Sequence, residues 1–551
     1  MLVLPEAARA STASAAVEAT PVRAFGRAGS FGGLTGATTT PTGEGFRAIG
    51  VHGWGFQPGQ AAYFPTVAPD GTVVIAGEPQ TDNQLLPTSR QMVLSTFDAT
   101  TLRFGNVIVP TSTGRTVSVG PWASPSGLVG GGDVSDVGVI RVGGESRVAF
   151  TSAMPFWGWH APSGGEYPTL GMLRRGTTGR WVSDTRSSIT ASELAAGSAR
   201  AARGARRHRS ARARRAARQA AGACITRSYD ATGQYGDCRM PAEFDQLPAS
   251  GALAVTQYAL DDLLRPSGRI SVLDPRGRVL ASYALPRITL ADGASLAVHP
   301  REVVADPLGR ARDERFTIVF DTERGVGAAG EPSTPGAIQE FRYDAVAGTI
   351  TPTSAPVLSG DASGTGATLG FETARYSADG SLWVGQSVPS TLQAGPVVVY
   401  RRGAAARGVL GTRPACAVPD GWSGGEWGRT CPPDERIAAA AELGVARSLD
   451  EDPRTRTMYL TTMGGAVLPI RSASDGSHVA GQPIDLGLDR LVDRSVLRIG
   501  PRKAALDAAR HVLWIPIQQL ATAQTCSAWP CAPVTLDQWL YAVDLDRVGQ
   551  R

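Results

Sequence analysis

Tyr63-Phe-Pro-Thr-Val-Ala-Pro-Asp-Gly-Thr-Val-Val-Ile75 sets the fold class. Two apolar runs rich in β-branched and aromatic residues flank Ala68-Pro-Asp-Gly71. Proline and aspartate open a tight reversal, and glycine closes it in a backbone region that side chains resist. The segment therefore reads as an antiparallel hairpin. The pattern returns at Ile270-Ser-Val-Leu-Asp-Pro-Arg-Gly-Arg-Val-Leu280 and at Ala374-Arg-Tyr-Ser-Ala-Asp-Gly-Ser-Leu-Trp-Val384. A copy with an acidic turn and no glycine runs from Arg447 to Pro453 and resumes at Thr457–Thr461. Ala505–Ile515 closes the set.

Further hairpin strands accompany these copies: Val93–Asp98 with Phe104–Val109, Gln339–Asp344 with Gly348–Ile350, Val397–Tyr400, and Trp539–Asp544. Two hairpins per unit give units at 60–110, 134–184, 241–286, 297–357, 370–402, 444–486 and 500–547. Helical periodicity is confined to Ser192–Ala221 and Asp434–Leu443. The expectation is an all-β chain, with four antiparallel strands per unit repeated radially as a single seven-bladed β-propeller. A pair of β-sandwiches is the alternative. The expected organisation is a leader over 1–44, a propeller over 45–547, and an Arg/Ala-rich helical or disordered insert over 192–222.

The repeat resembles that of the superfamily of six- and seven-bladed propellers that includes NHL-type and lactonase-like proteins, over most of residues 45–547. Ser377-Ala-Asp-Gly-Ser-Leu-Trp383 is similar to the Asp-box of sialidase-type propellers, but it is one residue short and occurs once. No sialidase chemistry is carried over. The resemblance implies ligand positions at the inner strands around a central funnel, which here would include Thr66, Arg301, Glu302, Glu372, Arg375 and Arg447. Lactonase-like propellers hold a divalent ion there with carboxylates and amides. That analogy makes Glu302 and Glu372 the candidate ligands, with Ca2+ as the ion. The competing reading is a funnel lining of mutually neutralised Arg and Glu.

The 551 residues include 54 Lys and Arg and 49 Asp and Glu, for a formal charge of +5. Nine arginines and no acid lie between Arg200 and Arg218, so the remainder carries −4. A nucleic-acid partner that needs a whole basic face is therefore excluded. Arginines surround the axis of a helix drawn through the insert, which leaves no core-facing stripe. The insert is expected to project, with anionic lipid or an acidic envelope polymer as its partner. Lys503 is the single lysine of the chain.

The six cysteines form three close sequential pairs, Cys224 with Cys238, Cys416 with Cys431, and Cys526 with Cys531. Of the 15 possible connectivities, local pairing is the simplest, because each pair brackets a turn-rich loop. Even numbers in close pairs point to an oxidising compartment. Ala13-Ser14-Ala15 fits the end of a signal peptide, although a charged start and apolar stretch are missing before it. The segment is read either as the tail of a signal peptide or as a disordered leader. The chain has no run of 18 apolar residues that would form a membrane-spanning helix.

Pro155–Pro168 gathers Trp157, Trp159, His160 and Glu166 in a loop. Exposed indoles beside polar groups suit sugar rings; packing between units is the plainer reading. Gly421-Trp-Ser-Gly-Gly425 matches a nucleophile elbow in letters, but Ser423 lacks the strand before it and the helix after it. The six histidines are scattered, and neither a zinc helix motif nor a phosphate loop occurs. The sequence reads as an exported, monomeric bacterial propeller that binds an envelope glycan, a protein or a small ligand across the funnel. The alternative is a lactonase-like hydrolase with a divalent metal in the funnel.

Overall fold

The computed structural model describes residues 17–18, 23–28, 60–79, 93–100, 103–110, 116–119, 133–153, 168–184, 186–204, 240–260, 266–289, 295–323, 336–358, 361–362, 367–368, 370–388, 393–400, 415–417, 446–462, 466–472, 478–481, 484–485, 497–501, 503–521 and 538–548. Their strands fall into a succession of antiparallel sheets, each built from neighbours in sequence. Sheet 1 runs Gln60–Val67, Thr72–Pro79, Val93–Asp98, Arg103–Pro110, with Thr116–Val119 on its outer edge. Sheet 2 runs Asp133–Val142, Glu145–Ala153, Pro168–Arg175, Trp181–Ser183. Sheet 3 is Met240–Gln246, Leu253–Leu260, Pro266–Leu273, Val279–Ala284, and sheet 4 is Ser295–Ala305, Glu314–Glu323, Ala337–Asp344, Thr349–Pro352. A single parallel bridge, Ser267 to Val298, joins these two.

Sheet 5 is Gly370–Tyr376, Leu382–Val388, Gln393–Tyr400, Ala415–Ala417, and sheet 6 is Ala446–Asp452, Thr457–Thr462, Ala466–Ser472, His478–Ala480. Sheet 7 starts with an interrupted strand, Leu497–Pro501 and Ala505–Asp507, followed by Val512–Ala521 and Gln538–Asp544. Its outer strand is Arg23–Ala28, and Val17–Glu18 pairs with Ile484–Asp485 beside sheet 6. Both short strands lie inside the segment that the sequence sets apart as a leader.

The fold is a β-propeller built from these sheets. The expected hairpins are present, because the turns carry the required backbone. Gly71 and Gly380 close their four-residue turns at φ 84° and 81°. In the copies without glycine the same place falls to Arg456 and His511, at φ 57° and 54°. The Ile270 copy differs in position. It spans the third and fourth strands of sheet 3 rather than the first and second, so the repeated hairpin marks strand reversals in general and not one fixed corner.

Apolar side chains pack between successive sheets. Val74 and Leu94 of sheet 1 meet Val137, Val148 and Phe150 of sheet 2. Phe316, Phe320 and Phe341 of sheet 4 meet Ile270 and Val272 of sheet 3, and Val397 and Val399 of sheet 5 meet Leu460 and Ile470 of sheet 6. Each fully buried side chain of this size contributes roughly 1.5–3 kcal/mol. Close packing also dictates small residues: a Cβ at Gly171 would run into the Phe150 ring. Gln60–Val67 packs on both Asp133–Val142 and Val512–Ala521, which places sheet 1 between sheets 2 and 7.

The helix Ala191–Gly204 covers the first turns of the arginine-rich insert. Contrary to the expectation of a projecting helix, these turns pack against Val279–Ala284. Leu194 is fully buried, Gly197 lies against Val279, and Ser198 Oγ is 2.9 Å from Ser271 Oγ. Most of the arginines follow Gly204 and lie outside the described residues. So do Asp434–Leu443, Ser423 and five of the six cysteines, and with them the three local pairings; Cys416 sits in the strand Ala415–Ala417.

Candidate functional site

The first strand of each sheet lies on a common central channel. Being an edge strand, it tolerates proline, as at Pro65, Pro241 and Pro300. The channel encloses a cavity of about 590 Å³ lined by the first strands of the described sheets, an arrangement that a pair of β-sandwiches would not produce.

A β-bulge recurs at one level of these strands. The register against the second strand shifts between Ala62 and Phe64, Val134 and Asp136, Pro241 and Phe244, Pro300 and Glu302, Phe371 and Thr373, and Ala446 and Ser448. In sheet 7 the first strand breaks at the same level, between Pro501 and Ala505, and Lys503 occupies the break. A bulge re-aims the side chains beside it. The inserted positions hold Tyr63, Ser135, Glu243, Arg301, Glu372, Arg447 and Lys503. The residues that follow the bulges, including Asp136, Glu302, Thr373 and Ser448, line the cavity.

Lys503 is the centre of this level. Its Nζ lies 3.0 Å from Glu243 Oε1 and 3.3 Å from Asp136 Oδ1. It thus reaches from sheet 7 across the channel to sheets 2 and 3. The Lys503 side chain is 24% exposed and lines the cavity. Burial works against its charge, but Asp136, Glu243 and Glu302 outweigh burial and hold it protonated well above the ordinary lysine value.

One cation cannot neutralise three carboxylates. Burial, with mutual repulsion from Glu302 and Asp136, raises Glu243 well above the ordinary glutamate value despite Lys503. Asp136 and Glu302 are raised by burial as well, with Lys503 opposing. Backbone amides hold both in place: Phe244 N donates to Asp136 Oδ2 at 3.3 Å, and Ala374 N to Glu302 Oε2 at 2.8 Å.

A second tier lies nearer the hairpin turns. Asp245 accepts from Ala305 N at 2.8 Å and Gln246 N at 2.7 Å. Asp450 accepts from Ser448 Oγ. Burial raises both aspartates, and the exposed Arg375 opposes. The cavity extends to the turns at Pro307, Ala378, Pro453 and Ala508.

Of the residues singled out from the sequence, Thr66, Glu302 and Arg375 line the cavity. Arg301 and Glu372 do not; they pair with each other, Nη2 to Oε2 at 2.6 Å. Glu302 and Glu372 are therefore not at like places. Glu372 occupies the register of Arg301, one step from that of Glu302, because of the bulge. Arg447 holds the equivalent inserted position of sheet 6 and is half-buried. Among the described residues, no group of three or more His, Cys, Asp or Glu is placed to hold a metal ion. Trp157, Trp159 and His160 lie outside the described residues.

The sequence reading missed Lys503, Asp136, Glu243, Asp245 and Asp450. One signal was available, the singularity of lysine in a chain whose other side-chain cations are arginines. Among the described residues, no helix is long and apolar enough to cross a membrane.

No family model matches the chain, and no curated protein matches it. Solved structures are similar to the chain at low identity. One, assigned as a 6-phosphogluconolactonase from Bacteroides uniformis, is 11% identical, with 77% of this chain and 85% of that one covered, at a TM-score of 0.39. The periplasmic gluconolactonase of Pseudomonas aeruginosa is 12% identical, with 77% and 86% covered, at 0.40. Raptor of Chaetomium thermophilum is 10% identical over 88% of this chain and 28% of its own, at 0.39. The chain is a β-propeller on its own strand pairing.

Proposed function

We propose that the chain is a closed seven-bladed propeller that binds a small polar ligand in its central channel and acts as a binding protein outside the cell or at the envelope. The observation that carries this reading is the repeated bulge, which turns a charged, hydrogen-bonding lining into a cavity of about 590 Å³. That volume falls within the usual range of small-molecule sites. Seven four-stranded groups, the contact of the last with the first, and the pairing of Arg23–Ala28 with Gln538–Asp544 support the closed ring. Paired cysteines support export, and non-reducing peptide mapping would test it by finding the three local bridges.

Ligand-observed NMR with a library of small polar metabolites tests the binding role. Ala378 is exposed at the channel mouth, so Ala378→Trp obstructs entry without disturbing the core. At least one compound should bind the native protein and lose about tenfold or more in affinity, ~1.4 kcal/mol, in the variant. Equal binding to both proteins, or no binding at all, would refute the reading.

A further inference from the structure

We propose that the outer rim of sheets 2 and 3 binds a linear phosphate polymer through an arginine patch laid out along the docked helix. The proposal is independent of the channel.

The helix Ala191–Gly204 and the residues just before it pack against the last hairpin of sheet 3. A Cβ at Gly277, which turns that hairpin at φ 84°, would meet Ile189 and the Ser187 carbonyl, and Gly197 lies against Val279 beside it. Four arginines flank these contacts: Arg186, Arg200, Arg276 and Arg278. All four are exposed. None takes part in an ion pair among the described residues. The acid of the turn, Asp274, is occupied by its own backbone, because its Oδ1 accepts from Arg276 N and Arg278 N, each at 2.9 Å. The helix carries a single acid, Glu193, in its first turn, and its arginines fall toward its end.

The sequence continues the charge. Residues 205–222 add seven arginines and no acid. They hold no apolar side chain larger than alanine, and no Phe, Trp or Tyr occurs between Trp181 and Tyr229. This composition selects the partner. A helix that lies on a membrane needs an apolar face to enter the acyl boundary. Recognition of bases needs aromatic platforms. Neither is present. Arginines that surround an axis, when the segment is drawn as a helix, meet a flat surface with only part of their number, whereas a flexible chain of anions reaches them all. Guanidinium grips phosphate through two parallel hydrogen bonds, which adds geometry to charge. Binding of this kind is driven by released counterions and weakens steeply with salt.

Isothermal titration calorimetry of the full chain with inorganic polyphosphate tests the proposal. Polyphosphate should bind, and its affinity should drop at least about a hundredfold between roughly 50 and 200 mM salt. Arg276→Glu combined with Arg278→Glu should weaken binding about tenfold at the lower salt, and deletion of residues 205–222 should abolish it. Both turn side chains are exposed, so thermal unfolding of the double variant should match the native protein even if the deletion is destabilised. A folded double variant that binds polyphosphate as well as the native protein would overturn the rim as the docking surface. Polyglutamate of equal charge that binds as tightly would overturn the assignment to phosphate. Tighter binding to phosphatidylglycerol vesicles would give the patch to a membrane, and tighter binding to oligothymidylate would give it to nucleic acid. Either result overturns the proposal, as does the absence of polyphosphate binding.

Discussion

Three carboxylates around one lysine make the channel sensitive to pH. Glu243 is raised in the folded protein, so its contribution to stability is fully present below the ordinary glutamate value and is lost as pH rises through the raised value. Denaturant unfolding of the native protein should show stability falling across that window, by at most about 1.4 kcal/mol per pH unit for this one group. Glu243→Gln should flatten part of that slope, and an unchanged slope would show that Glu243 does not titrate there. Lys503→Met leaves the three carboxylates without their cation and should cost roughly 3–5 kcal/mol near neutrality, partly recovered on acidification as they protonate. Lys503 was visible in the sequence as a unique residue but not as the centre of a site. Its partners Asp136 and Glu243 lie 367 and 260 positions away, and only the packing of separate sheets brings them together.

The hairpin is the element most fully written in the sequence. Proline, aspartate and glycine at fixed places in the turn dictate the reversal locally, so strands such as Thr72–Pro79 and Leu382–Val388 could be read from composition alone. The bulges could not. A bulge is a register shift between two strands, and neither strand carries its signature alone. This is why Glu302 and Glu372 look equivalent along the chain and are not equivalent in the sheet. At Gly380 the turn tests the local argument. Its φ is 81°, and a Cβ there would meet the Leu308 side chain of sheet 4. Gly380→Ala should cost about 1–2 kcal/mol in thermal or denaturant unfolding. No loss would mean that the turn relaxes and that its glycine is dispensable.

A second device joins elements across sheets 6 and 7. His511 lies between Asp452, 3.0 Å from Nε2, and Asp546, 2.5 Å from Nδ1. Asp452 is fully buried. Burial pushes its carboxyl up, but the Thr455 hydroxyl, the Arg454 amide and His511 together hold it below the ordinary aspartate value. It therefore stabilises this corner above that ordinary value and loses the contribution as pH falls through its depressed one. Acid thus weakens the junction of sheets 6 and 7 while relaxing the crowding of carboxylates in the channel.

For the whole molecule, ring closure is the organising claim. Sheet 7 takes its outer strand from Arg23–Ala28, and Arg510 Nη2 reaches Thr100 Oγ1 of sheet 1 at 2.8 Å. Removing residues 1–28 should therefore lower the thermal unfolding temperature and expose the edge of Gln538–Asp544, detectable as faster amide exchange there. Unchanged stability and exchange would show that the ring does not depend on that strand. The opening charge of +5 now divides between parts of the molecule: a mildly acidic propeller, an arginine-rich insert whose first turns are docked, and an acidic channel with a single lysine.

That single lysine also provides the most direct test of the channel. Labelling the protein with 13Cε-lysine places one side-chain resonance, from Lys503, in the cavity. This resonance should stay in its charged form above the ordinary lysine value of 10.5. It should also shift when a channel ligand is added to the native protein, and not in Ala378→Trp. A resonance that titrates at the ordinary value and is unmoved by ligand would show that Lys503 is neither paired with the carboxylates nor part of a binding channel.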